Sequence, residues 1–342
     1  MSRSEITIDL GALRRNAAVL AKVAGGSELW AVVKADAYGH GALDCARAAL
    51  AGGAKALCVA SAKEGAALRS ELADVRILVL SPLSEADEGL ARKAGLELAV
   101  SSPRIPEGLV VHVKVDTGMG RFGMVSEDAA QIDPARVAGV MSHLATADEE
   151  DAAFARGQID VFAAVARRFP GATRHIANSA ATLSIPESRL DAVRCGVALY
   201  GLSPFGRDPK EHGLEPVLSW RSYVAQAKVL LSGDSTGYGR RFVAEQETRI
   251  GLVPVGYGDG FRRALTGTQV LVAGTRRRVL GTVSMDSFAV ELGDEPEGAP
   301  VTLVGDGLVV EEHARHAGTI NYELMTGLVS DPRRAERRFV HG

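Results

Sequence analysis

Cysteine is scarce in this 342-residue chain: Cys45, Cys58 and Cys195 are odd in number and scattered through apolar stretches. They make neither a disulfide framework nor a metal-ligand pattern, and they suit a reducing cytosol. No apolar run approaches the length of a membrane span, and the opening MSRSEITIDL carries no apolar signal core. Neither charge sign dominates: 39 Lys and Arg against 42 Asp and Glu leave a net charge of −3. That removes any electrostatic reason to expect nucleic acid or an anionic membrane as a partner. There is no Walker-type loop, no acidic cluster to hold magnesium with a nucleotide, and no glycine-rich dinucleotide fingerprint after the first strand. What is there is a cytoplasmic, globular composition, 46% hydrophobic and 24% charged. It is ample for one large domain with a smaller one, or for two of medium size.

After a short first strand, Asp9 is placed to cap a helix whose Leu10, Leu13, Ala17 and Leu20 share one face. Eight strand-like runs then follow: LWAVV, ALCVA, RILVL, LELAV, LVVHVKV, RVAGVM, TRHIA and DAVRC. Alanine-rich helical pieces separate most of them, which predicts a (β/α)8 TIM-type barrel. The clearest helix follows ADEED, with Phe154, Phe162, Val165 and Phe169 on one face and Pro170 as its stop. SSPRIPEG and SEDAAQIDPA are too short for full barrel helices, so the connections after the fourth and fifth strands are trimmed. Near residue 218 the grammar changes to short strands broken by glycine-rich turns, the pattern of a small all-β domain with a helical tail. The expected division is a barrel over 1–217 and a β domain over 218–342.

In such a barrel the polar ends of the strands collect on one face, where barrel enzymes keep their active sites. Lys34 ends the first of the eight runs, Lys114, Asp116 and Arg121 follow the fifth, and His143 follows the sixth. His175, Asn178 and Ser179 follow the seventh; Arg194 and Gly196 follow the eighth. An ammonium at the mouth of an apolar strand has to be paired, exposed or chemically used. Lys34, Arg121 and Arg194 at the rim, with NSA and CGV offering backbone N–H groups, suit an anionic ligand carrying a phosphate. A lysine beside a phosphate cradle suggests pyridoxal 5′-phosphate bound as a Schiff base. Taken singly, each residue also has a plainer reading: Tyr38 and Tyr257 as rim tyrosines, His143 and His175 as core histidines, Met285 as β-domain core, and Arg194 as an ion pair with Asp191.

AVVKADAYGHG resembles the pyridoxal-phosphate attachment motif of the alanine racemase family, and further matches run through both halves of the chain: KVDTGMGRFG, SHLATAD, HIANSAATL, RCGVALYG, VGYGDGF, GTVSMDS and GTINYEL. The resemblance implies that Lys34 carries the cofactor. It implies that Tyr38, Ser179, Gly196 and Val197 bind its phosphate, and that Arg194, oriented by His175, faces the pyridine nitrogen. Arg121 then contacts the substrate carboxylate and the cofactor's phenolic oxygen. Lys114 matches a lysine that is carbamylated in some members. Tyr257 and Met285 match residues contributed by a second subunit, which makes the expected assembly a homodimer with shared sites.

The resemblance implies an activity too: racemisation of alanine, expected to supply D-alanine for peptidoglycan, with no metal. Lys34 and Tyr257 would be the two bases on opposite faces of the amino acid, and His143 would assist the tyrosine. Ordinary pKa values near 10 are too high for such bases at neutral pH, and the neighbouring cations are expected to adjust them. An arginine opposite the ring nitrogen, effectively always protonated, keeps that nitrogen unprotonated. The family often has a tyrosine where this chain has Ser330. That departure keeps a serine or broad-specificity amino acid racemase as the alternative. A barrel-only cofactor carrier is disfavoured by VGYGDGF and SMDS, and a fold-related decarboxylase by Arg194 standing where an acid is expected.

Overall fold

The computed structural model describes residues 2–329 and 331–342, and the chain divides into two compact units. The larger unit, residues 13–205 and 209–215, is the barrel. Its eight parallel strands are β2 (Glu28–Val32), β3 (Ala56–Val59), β4 (Arg76–Val79), β5 (Glu97–Val100), β6 (Val110–Lys114), β7 (Val137–Met141), β8 (Thr173–His175) and β9 (Ala192–Cys195). These are the eight runs anticipated from the sequence. The order is β8-β7-β6-β5-β4-β3-β2-β9. The two ends meet where Asp191 N–H donates to the Arg174 carbonyl (3.1 Å) and Arg194 N–H to the Ala177 carbonyl (3.0 Å). The strands are buried almost throughout, as parallel strands covered on both faces must be.

Helices Ala42–Ala51, Ala62–Arg69, Glu85–Lys93 and Ala153–Ala166 cover the outside. No helix joins β5 to β6, and only Ser126–Ala129 plus a short 3-10 turn joins β6 to β7, as the two trimmed segments foretold. Within the long helix Phe162 and Val165 are buried, with Phe169 just past its end, whereas Phe154 is 53% exposed. Phe154 sits in the helix's first turn, where it overhangs Gly118 instead of reaching the core.

The smaller unit holds residues 1–12, 206–208 and 216–342. Here the division at 217/218 needs correction, because the chain's first strand belongs to the β unit. β1 (Glu5–Asp9) runs antiparallel to β10 (Leu218–Tyr223) and parallel to the last strand, β19 (Glu336–Val340). Between β10 and β19 come β11 (Gln226–Leu230), β12 (Ser235–Thr236), β13 (Phe242–Val243), β14 (Thr248–Val253), β15 (Gln269–Val272), β16 (Thr275–Leu280), β17 (Phe288–Glu291) and β18 (Pro300–Val304). The main sheet has the order β11-β14-β17-β16-β15-β18-β10-β1-β19, and β12 and β13 pair separately. Helices Val310–Ala317 and Asn321–Thr326 form the expected tail, but β19 follows them. That last strand reads ERRFV, too charged to announce itself by alternation. Asp9 accepts the Ala12 N–H at 2.9 Å, which is the predicted cap.

Candidate active site

Lys34 stands just beyond β2, half-buried at the C-terminal end of the barrel. The chain leaves it in an unusual way. Ala35, Asp36, Ala37 and Tyr38 all have φ between 51° and 55° and ψ between 36° and 53°, a complete left-handed turn made without glycine. Such a conformation costs roughly 1–2 kcal/mol per residue, so something must hold it. Glu64, the capping-box acid of helix Ala62–Arg69, accepts the Ala35 N–H (2.8 Å). The Asp36 carboxylate accepts the Ala42 N–H (2.8 Å), and Gly41 N–H donates to the Asp36 carbonyl (2.9 Å). The turn returns Tyr38 to the interior, with its ring 5.0 Å from that of Tyr200. Among the described residues the Lys34 ammonium has no hydrogen-bond partner. Burial, then Arg121, lower its pKa, and Arg194 adds to the effect.

The other cations gather beside it. Lys114, the last residue of β6, is buried; it donates to the Leu80 carbonyl (3.2 Å) and lies 5.6 Å over the Phe122 ring. Burial, with Arg194, Arg121 and Lys34 nearby, brings its pKa down to about 8. Arg121 rides on a loop wound around one carboxylate. Asp116 accepts backbone N–H groups from Gly118, Met119, Gly120 and Arg121 itself at 2.8–3.2 Å. The guanidinium of Arg121 is exposed, and none of the described residues bonds to it. Asp116 thus has a definite role, holding the loop, that the sequence left open.

Arg194 is 4% exposed and is held by acceptors of the two preceding strand ends. One terminal nitrogen donates to His175 Nδ1 and to the His175 carbonyl, both at 2.8 Å; the other donates to the Ser142 carbonyl at 2.7 Å and reaches His143 Nδ1 at 3.4 Å. It does not pair with Asp191, whose carboxylate is taken by Arg174 at 2.8 Å. Burial lowers the Arg194 pKa only to about 10, so it is charged at any working pH. Its Nε makes no hydrogen bond among the described residues, which leaves one donor for a ligand acceptor. His143 is pushed down to about 3 by burial and by Arg194, Arg121, Lys34 and Lys114, and is therefore neutral.

Ser179 opens the helix Ser179–Ser184, capped by Asn178, and its hydroxyl accepts the Gly196 N–H (3.0 Å) and the Ala198 N–H (3.4 Å). Position 196 has to be glycine: a Cβ there would collide with the Tyr38 hydroxyl and lie 2.9 Å from its ring carbon Cζ. Tyr38, Ser179, Gly196 and Val197 therefore converge in one place. Hydroxyl and N–H donors here suit a phosphate, the unpaired Arg194 Nε suits a ring nitrogen, and an amine of lowered pKa suits an aldehyde. Pyridoxal 5′-phosphate fits this set of groups.

In the β unit, the turn Tyr257–Asp259 is tied to the loop before β17. Tyr257 N–H donates to the Ser284 carbonyl (3.0 Å) and Gly258 N–H to the Met285 carbonyl (2.9 Å). A Cβ at Gly256 would lie 2.5 Å from the Met285 carbonyl, so the glycines of VGYGDGF permit this close approach. Buried Asp259 accepts the Gly256 N–H (2.9 Å) and Arg334 Nε (2.7 Å), and Arg334 also grips Asp286. The paired loops leave Tyr257 42% and Met285 53% exposed. Met285 is thus not β-domain core. Ser330 lies outside the described residues.

The family model for the alanine racemase N-terminal domain matches residues 8–204, and that for the C-terminal domain matches 217–337. An alanine racemase of Thermobifida fusca is 39% identical over 95% of this chain and 96% of its own. The crystal structure of alanine racemase from D-cycloserine-producing Streptomyces lavendulae superposes with a TM-score of 0.93 at 35% identity, covering 100% of this chain and 98% of that one. The Bartonella henselae alanine racemase, solved with covalently bound pyridoxal phosphate, gives a TM-score of 0.91 at 26% identity over 99% and 100% of the two chains. With both domain models matched and likeness over nearly its whole length, the chain belongs to the alanine racemase family.

Proposed function

We propose that the protein interconverts L-alanine and D-alanine, with pyridoxal 5′-phosphate as its resident cofactor, and supplies D-alanine for peptidoglycan. One observation carries the reading: an unpaired Lys34 of lowered pKa opens onto the same barrel mouth as Arg121, Lys114 and Arg194, beside the Tyr38–Ser179–Gly196 cradle. When bound, the cofactor supplies a phosphate anchor and a conjugated ring that makes the substrate's α-proton acidic. Lys34 would hold it, and Tyr38, Ser179, Gly196 and Val197 would take its phosphate.

The chain's own residues then have separable tasks. The Lys34 amine, relieved of part of its affinity for a proton by burial and Arg121, takes or gives the α-proton on the face that serves the D-isomer. The Tyr257 hydroxyl does the same on the face that serves the L-isomer. Arg121, with no internal partner, receives the substrate carboxylate. His143, neutral and accepting from Arg194 at Nδ1, carries its proton on Nε2, where it can assist the tyrosine. Arg194, charged and always a donor, opposes protonation of the ring nitrogen it faces. Exposed Tyr257 and Met285 come from the second subunit of a homodimer. Lys114, with a pKa near 8, is the site of carbamylation: the ammonium gives up one proton, the neutral amine adds carbon dioxide and releases a second, and a carbamate anion then stands among the arginines.

A panel of single-enantiomer amino acids followed by chiral chromatography tests the reading. Alanine is expected to be racemised fastest. A preference for serine or a basic amino acid would replace alanine as the substrate, and no racemisation of any amino acid would end the proposal.

A further inference from the structure

The His175 nitrogen that does not face Arg194 is also bound. His175 Nε2 lies 2.8 Å from His112 Nδ1, and His112 Nε2 lies 2.9 Å from Glu97 Oε2. Arg76 closes the far end, with Nε and Nη2 3.1 and 3.3 Å from the two Glu97 oxygens, and lies 4.9 Å over the Trp30 ring. Arg76 and Glu97 are the first residues of β4 and β5, while His175 and Arg194 stand at the ends of β8 and β9. A row of polar groups therefore crosses the barrel interior from its floor to its mouth.

The direction of every proton in this row is forced. A guanidinium only donates, so His175 Nδ1 must offer a lone pair and its proton must sit on Nε2. His112 Nδ1 then accepts, its proton sits on Nε2, and Glu97 receives it. Reversing either imidazole would face two donors toward each other. The backbone is shaped for the arrangement: β6 shifts register against β7 between Val111 and His112, and opposite the shift stands Gly139. A Cβ on Gly139 would collide with the His112 ring, 2.8 Å from its Cγ. Both imidazoles are completely buried and lean on Trp30, with ring centroids 5.7 and 4.5 Å from it.

We infer that Glu97, acting through His112 and His175, is a positioning residue for Arg194. It anchors the tautomer of both imidazoles and so presents the lone pair that fixes the guanidinium. Burial keeps both histidines below their ordinary range, and His112 and Arg76 bring the Glu97 pKa down to about 2. Only the consequence, an Arg194 plane aligned with a ring nitrogen, rests on the racemase reading.

The test is solid-state 15N NMR of full-length protein labelled at its eight histidines, with assignments from His112→Asn. At pH 7, His112 and His175 are expected to be neutral, each protonated at Nε2. Glu97→Leu removes the acceptor and is expected to shift the His112 Nε2 resonance and, through it, that of His175. Glu97→Gln, whose amide oxygen still accepts, restores both toward their wild-type positions. Gly139→Ala, which alters no ionisable group, is expected to move the same two resonances. A His175 protonated at Nδ1, or a His175 resonance indifferent to Glu97→Leu, overturns the inference. The wild-type spectrum decides the tautomers even if a variant fails to fold. These signals do not depend on turnover, so a protein that racemises nothing would lose the proposed function and keep the relay.

Discussion

Tyr38 and Gly196 occupy one another's space: the phenol fills the volume that any side chain at 196 would need. The left-handed turn after Lys34 brings the tyrosine there, and the glycine after β9 receives it. Gly196→Ala is therefore expected to push the phenol aside and weaken cofactor binding. Losing one hydrogen bond to a charged phosphate corresponds to about 1.5–3 kcal/mol, or roughly ten- to a hundredfold in affinity. Titrating the cofactor into stripped protein and following the visible absorption checks this.

Tyr257 is held by its backbone, not by its side chain, since its N–H and that of Gly258 bond to the neighbouring loop. Tyr257→Phe should leave that loop intact and remove only the hydroxyl. Conversion of L-alanine is expected to fall by about 10²- to 10⁴-fold, with cofactor affinity unchanged. Normal racemisation by this variant would eliminate Tyr257 as a base.

If Tyr257 serves the partner's site, two inactive variants should rescue each other. Mixing Lys34→Ala with Tyr257→Phe, unfolding and refolding them together, yields heterodimers in which one of the two sites is complete. About a quarter of wild-type activity is expected from statistical exchange. No recovery, from mixtures shown to contain heterodimers, would place Tyr257 in its own subunit's site.

His143 is surrounded by Arg194, Arg121, Lys34 and Lys114, and its pKa is near 3. It stays neutral until the medium is far more acidic than any working pH. The acid limb of a kcat/KM profile between pH 5 and 8 should therefore not move in His143→Gln, even where the plateau drops. A limb near 6.5 that vanishes in the variant would contradict this.

The barrel was legible in the sequence because its strands are buried on both sides, giving eight runs that announce themselves without alternation. The barrel part of the candidate site was legible because its residues follow those runs. Residues whose roles depend on folding were not. Glu97 and Arg76 look like ordinary charges at strand starts, and His112 looks like a lone core histidine until β6 and β8 bring it against His175. The left-handed run could not be read either, since alanines rarely take positive φ and nothing in ADAY signals it. Proximity in sequence groups β1 with the barrel, but its hydrogen bonds run to β10 and β19, more than two hundred residues away.

Lys114 gives a prediction for stability. Its folded-state pKa of about 8 lies below the ordinary 10.5, because burial and three neighbouring cations disfavour its charge. A lysine in that position destabilises the fold while it is charged, by about 3 kcal/mol. The penalty is complete below pH 8, fades as pH rises through the window between 8 and 10.5, and is absent above it. Lys114→Met, which keeps the length of the side chain without the charge, should stabilise the cofactor-free protein at pH 7 in carbon-dioxide-free buffer. The advantage should shrink toward zero by pH 10.5. Denaturant unfolding of wild type and variant at both pH values measures it. A variant less stable than wild type at pH 7 would mean that the ammonium contributes more through the Leu80 carbonyl and the Phe122 ring than it loses to its neighbours.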